Sequence, residues 1–206
     1  VAGNFAASGF ILQSVFGIDL FWGMLIAALI VLVYTYAGGL FSSAYTDIFQ
    51  IYLAIGAFWA AFLFFAGGFY GVDFGTILGN APPAYLDLSG LTDPANGAYV
   101  NWASIMALGL GDIVALDFME RVFAARDGRT AQRGAFMGAG LTLFTVIPTS
   151  MMGIIALFVL PNIADPFTAY PELAINHMPF PIGAALMMGV LGASMSTANG
   201  GLLAIS

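Results

Sequence analysis

Residues 20–46 read LFWGMLIAALIVLVYTYAGGLFSSAYT, a run without one charged side chain. A bilayer core of about 30 Å is crossed by about 20 mostly apolar helical residues. Residues 20–37 suffice for that, and Gly38-Gly39 then marks a tight connection. A membrane β-strand would instead show an alternating segment of about ten residues. The run is continuous, so it reads as a membrane-spanning helix.

The rest of the chain repeats the pattern. Of its 206 residues, 61% are hydrophobic and 7% charged, with a mean hydropathy of +0.96. A soluble domain carries about 25% charge. These values exclude a soluble globular domain, a disordered chain and a nucleic-acid binder, which would present a basic surface. Apolar runs place spans at about 20–37, 48–69, 101–124 and 134–160, with partial spans at 1–17 and 181–206. Residues 67–100 and 161–181 are rich in Gly, Pro, Asn and Asp and serve as connectors. The fold class is all-α: a polytopic membrane helix bundle forming a single membrane domain. The chain opens at Val1 without a methionine or leader and stops inside an apolar run, so an interior portion of a longer protein is expected.

The signs of the charges orient the spans. All four cations are arginines, confined to Arg121, Arg126, Arg129 and Arg133. The positive-inside rule makes the 121–133 loop cytoplasmic. Alternation puts residues 38–47 on that side and the connectors 67–100 and 161–181 outside. The outer segments then hold Asp19, Asp73, Asp87, Asp93, Asp165 and Glu172 with no cation. A multi-pass protein of a plasma or inner membrane is expected. With no cysteine and the lone His177, neither a thiol-ligated nor a histidine metal site can be built, and no cofactor is expected.

Packing alone does not account for some residues, although each also has a structural reading as a satisfied buried acid, an interfacial pair or packing glue. An acid within a span costs roughly 2.5–3.5 kcal/mol on insertion scales and marks a functional site by default. Asp112 and Asp117 both fall inside the 101–124 span, with Glu120-Arg121 at its cytoplasmic end. Asp117 and Arg121 are four apart, a favourable spacing for an ion pair on one helix. Gly109 and Gly111 flank Leu110, which suggests a helix broken near mid-depth, where freed carbonyls can serve ions. In the last span, Ala193, Ser196 and Thr197 share one helix face. Small and hydroxylated residues there are either packing glue or, through one carbonyl and two hydroxyls, hard oxygen donors for an alkali cation.

Two resemblances follow. Gly109-Leu110-Gly111-Asp112 resembles the GxGD motif of intramembrane aspartyl proteases. Those need a second aspartate in a Tyr-Asp motif, and the nearest match, Tyr45-Thr46-Asp47, carries an extra residue. The wider resemblance covers nearly the whole chain. Tyr34-Thr35-Tyr36-Ala37-Gly38-Gly39-Leu40, followed by Thr46-Asp47-Ile48-Phe49-Gln50, is similar to a signature of the sodium/solute symporter family. The run from Gly111-Asp112 to Arg121-Val122-Phe123-Ala124-Ala125-Arg126 resembles its second signature, with Glu120 for a usual glutamine and Arg126 for a lysine. Ala193-Ser194-Met195-Ser196-Thr197 resembles the segment that contributes to the family's sodium site.

That resemblance implies a leucine-transporter-like, inverted-repeat (five-plus-five) fold, of which this chain is part. It implies a sodium-coupled symporter of a small polar organic solute working by alternating access, not an enzyme, with sodium as coupling ion. The sodium ligands would be the Ala193 carbonyl and the Ser196 and Thr197 hydroxyls. Asp47 would lie on the cation-release path, unless it merely caps a helix beginning at Ile48. Asp117 and Asp112 would belong to the substrate or cation pathway, and Asp117 departs from the aromatic or amide residues usual in relatives. The partners are the solute, sodium and the lipid bilayer, with no nucleic acid. The other class is a non-transporting membrane scaffold or sensor of the same fold.

Overall fold

The computed structural model describes residues 2–69, 73–80, 82–83, 87–163 and 165–204. Nine helices follow in chain order among them: α1 (Ala2–Phe16), α2 (Leu20–Ala66), α3 (Phe74–Asn80), α4 (Ser89–Thr92), α5 (Ala98–Ile113), α6 (Leu116–Phe123), α7 (Gly128–Val159), α8 (Ala169–Asn176) and α9 (Phe180–Ala204). The only β feature among the described residues is an isolated bridge between Gly67 and Asp73. Three helices, α2, α7 and α9, are long and apolar enough to cross a membrane; α5 and α6 do so as a pair bent by 43°. The last two positions of the expected 181–206 span, and Val1 of the first, lie outside the described residues.

Helix α2 begins where Asp19 accepts a hydrogen bond from the Phe21 amide and ends where the Gly67 amide caps Leu63. Its 47 residues would reach about 70 Å if straight, twice a bilayer core. It is not straight. Gly39 takes φ 53°, ψ −144°, a conformation that side chains rarely permit. Thr35 and Ser43, eight residues apart, both reach the side chain of Asn199 on α9. On one straight helix they would stand about 12 Å apart along the axis. The chain therefore folds back at Gly39, and α2 is two arms. The second arm is helical from Leu40, not from Ile48, so Asp47 sits inside a helix and caps nothing.

Two further boundaries correct the sequence reading. The ladder runs on through Gly109 and Gly111, and the break falls at Val114–Ala115. Ala115 is extended (φ −64°, ψ 132°), and that residue turns the chain. Glycine permits a break without forcing one. Helix α7 starts at Gly128, its first turn capped by Asp127, whose carboxylate accepts from the Thr130 amide. Those hydrogen bonds hold the Asp127 carboxyl below the usual carboxylate range. Arg129 and Arg133 thus ride on the first turns of α7 instead of in a loop.

Helix α9 is the axis of the bundle. Its second-arm partners run antiparallel to it: Asp47 meets Ser196, Gln50 lies on Gly192, and Ala54 lies on Gly189. A side chain at Gly189 or Gly192 would press on those neighbours, so small residues set the approach. At the opposite end α8 leans on α9, with the Ala174 carbonyl seated over Gly183. Gly9 and Gly23 make the same kind of contact between α1 and α2. The apolar core, including Phe58, Phe62, Phe65, Met152, Ile155 and Leu186, fills the space between α2, α7 and α9. Trp59 stacks on Phe144 at 4.7 Å and donates to its carbonyl, fastening α2 to α7.

Candidate functional site

The reversal at Gly39 brings the start of the second arm of α2 together with the polar ends of α6 and α9. Asp47 is the node. Its Oδ1 accepts from the Ser196 hydroxyl at 2.5 Å. Its Oδ2 accepts from Arg121 Nη2 at 3.1 Å and from the Ser43 hydroxyl at 3.3 Å. Ser43 in turn accepts from Asn199 Nδ2 at 2.6 Å. Ser43 and Asn199 are wholly buried. A buried polar network of this kind fixes geometry because each member loses a partner if another moves.

A cavity of about 660 Å³ opens beside that node. Ala193, Ser196 and Thr197 line it from α9, Asp47 and Gln50 from α2, and Arg121 from α6. Thr142, Thr145 and Thr149 add a polar stripe from α7, and Phe58 an aromatic wall. The Thr197 hydroxyl donates to the Ala193 carbonyl at 3.0 Å, so those two oxygens lie side by side. Ser196 spends its proton on the Asp47 carboxylate, which leaves its oxygen lone pairs free for a cation. The set is a carboxylate, hydroxyls and a carbonyl, the hard donors an alkali ion takes. Gln50 Oε1 is buried without a hydrogen-bond partner among the described residues.

Of the six site residues expected from sequence, four meet at this cavity: Ala193, Ser196, Thr197 and Asp47. Asp117 and Asp112 do not line it. Asp117 stands in the first turn of α6, where a carboxylate suits the helix dipole. It lies 3.9 Å from Arg121 Nη1, the i,i+4 pair its spacing suggested. Asp112 occupies the last turn of α5. The aspartyl-protease pattern needs two carboxylates sharing a proton, whereas Asp47 is engaged by Arg121, Ser43 and Ser196. Sequence reasoning gave Arg121 an interfacial role and missed its reach across to α2. It also passed over Gln50, which closes the first signature, and the three-then-four spacing of Thr142, Thr145 and Thr149, a legible helix face.

An all-α, multi-pass membrane bundle with an oxygen-rich cavity between a broken span and a small-residue helix defines the class. The chain belongs to the sodium:solute symporter family, whose model matches residues 1–206. It is 29% identical over 187 residues to the sodium/glucose cotransporter of Vibrio parahaemolyticus, covering 83% of this chain and 33% of that protein. It is 28% identical over 155 residues to the human high affinity choline transporter 1, covering 75% of this chain and 26% of that protein. The chain thus spans about a third or less of the curated relatives it matches. No solved structure matches it at a significant level.

Proposed function

We propose that this chain is part of a sodium-coupled symporter for a small polar organic solute, working by alternating access within an inverted-repeat bundle. The observation that carries the reading is the convergence of Ala193, Ser196, Thr197 and Asp47 on one cavity. Sodium is held by the Ala193 carbonyl and the two hydroxyls, with the carboxylate of Asp47 behind Ser196. Coupling is thermodynamic: sodium favours the solute-competent conformation because it binds that conformation more tightly. Asp47 lies on the route by which the ion leaves, and the acids Asp117 and Asp112 belong to the same pathway at either side of the 43° bend. The arginine-bearing segment 121–133 faces the cytoplasm of a plasma or inner membrane. Family membership and two transporters among the relatives support the reading.

The test is uptake by the full-length protein in proteoliposomes, with and without an inward sodium gradient, across a panel of sugars, amines and amino acids. Ser196→Ala and Thr197→Ala each remove one oxygen facing the ion, a loss of about 1.5 kcal/mol or on the order of tenfold in half-saturating sodium. Ser104→Ala, on α5, is the control. Uptake that ignores the gradient refutes the reading, and solute binding without accumulation assigns the chain to a sensor or scaffold.

A further inference from the structure

Arg121 belongs to α6, the short half of the bent span, yet its guanidinium lies against α9. A Cβ built on Gly200 would fall 3.2 Å from Nη2, 3.5 Å from Nη1 and 3.8 Å from Cζ, so the planar group faces the side of the helix that the glycine leaves open. Gly200 is buried; an alanine methyl there would press on Nη2, and a larger side chain would displace the guanidinium. From this seat Nη2 reaches Asp47 Oδ2 at 3.1 Å, while the opposite oxygen of the same carboxylate takes the Ser196 hydroxyl at 2.5 Å. One anion therefore serves a fixed cation on one side and a candidate sodium ligand on the other. Arg121 and Asp47 both line the cavity with Ser196.

We propose that Arg121, seated on Gly200, is a tethered competitor of sodium for the charge of Asp47, and so a positioning residue that keeps sodium binding weak enough to be released. This rests on the sodium site proposed above. While the pair is closed, the guanidinium neutralises the carboxylate and so removes its attraction for an incoming ion. Reciprocity follows: sodium at Ser196 weakens the hold of Arg121 on Asp47 by the same factor, and so frees α6 from α2 and α9. The tie is modest because the Arg121 side chain is 46% exposed and that of Asp47 18% exposed. Lysine cannot replace it, since an ammonium has no planar fork to lie on Gly200.

The experiment measures radiosodium binding to the purified full-length protein, with potassium as the competing control, for the parent, Arg121→Gln, Gly200→Ala, Asp47→Asn and the Asp47→Asn/Arg121→Gln double variant. Arg121→Gln is expected to tighten sodium binding roughly two- to fivefold, the range set by a partly exposed ion pair, and Gly200→Ala to tighten it by a smaller factor. In the Asp47→Asn background, Arg121→Gln is expected to change nothing. General damage to the fold lowers sodium affinity, so a gain separates competition from a structural role. Gly200→Ala keeps the charge in the chain and carries the test if Arg121→Gln does not fold. Unchanged or weakened sodium binding in the folded variant, or the same gain in both backgrounds, overturns the proposal. A parent that binds no sodium refutes the site itself, a distinct outcome.

Discussion

Asn199→Ala, combined with Ser43→Ala, asks whether the reversal at Gly39 is held where the structure places it. Asn199 is wholly buried and ties Ser43, on the second arm of α2, to Thr35 on the first. Thr35 has a second acceptor in the Val31 carbonyl at 2.6 Å, so it loses little when the amide goes. Ser43 loses its incoming donor and keeps only its own bond to Asp47. Interhelical hydrogen bonds in membrane proteins average about 0.6 kcal/mol and reach about 1.7 kcal/mol. The space left by the amide adds roughly 1 kcal/mol. Asn199→Ala is thus expected to cost about 1.5–3 kcal/mol. Ser43→Ala strands the Asn199 amide and is expected to cost about 1–3 kcal/mol. Unfolding of the four proteins in mixed detergent micelles gives the cycle, with an expected coupling of about 0.6–1.7 kcal/mol. Costs that add within about 0.3 kcal/mol would refute the contact and the reversal it holds.

Three other outcomes are expected. Gly183→Ala drives a Cβ into the Ala174 carbonyl oxygen, a backbone atom that cannot rotate aside; the unfolding temperature falls by the equivalent of about 1–3 kcal/mol, and parental stability would refute the close approach of α8 to α9. In this cysteine-free chain, single cysteines at positions 128 and 90 are labelled from opposite faces of the membrane, 128 from the cytoplasm; labelling from one face overturns the orientation. Asp117→Asn weakens an ion pair 3.9 Å long between half-exposed groups, so folded yield changes by less than about 1 kcal/mol in stability. With Asp117 acting through Arg121, its sodium dependence shifts at constant solute affinity, and parental behaviour in both removes it from the pathway.

Sequence alone determined the properties that depend on composition and near neighbours. Hydropathy marked the spans, because a bilayer leaves backbone polar groups no partner but their own helix. The Asp19 and Asp127 caps are near-neighbour effects too, each carboxylate accepting a backbone amide a few residues on, although the sequence reading did not single them out as caps. The i,i+4 pair of Asp117 and Arg121, and the common face of Ala193, Ser196 and Thr197, follow from 3.6 residues per turn. The break at Val114–Ala115 was misplaced by a few residues, since two glycines loosen a helix without choosing where it turns. The tertiary structure decided everything that crosses between helices. Asp47 meets Ser196 and Arg121 across 149 and 74 positions of chain. Those meetings depend on the rotational phase of α2 and α9, which the close approaches of Gly189 to Ala54 and of Gly192 to Gln50 set. The hydropathy of α9 is spread almost evenly around the helix, so no periodicity in its sequence could have told which neighbour its Ser196 face meets.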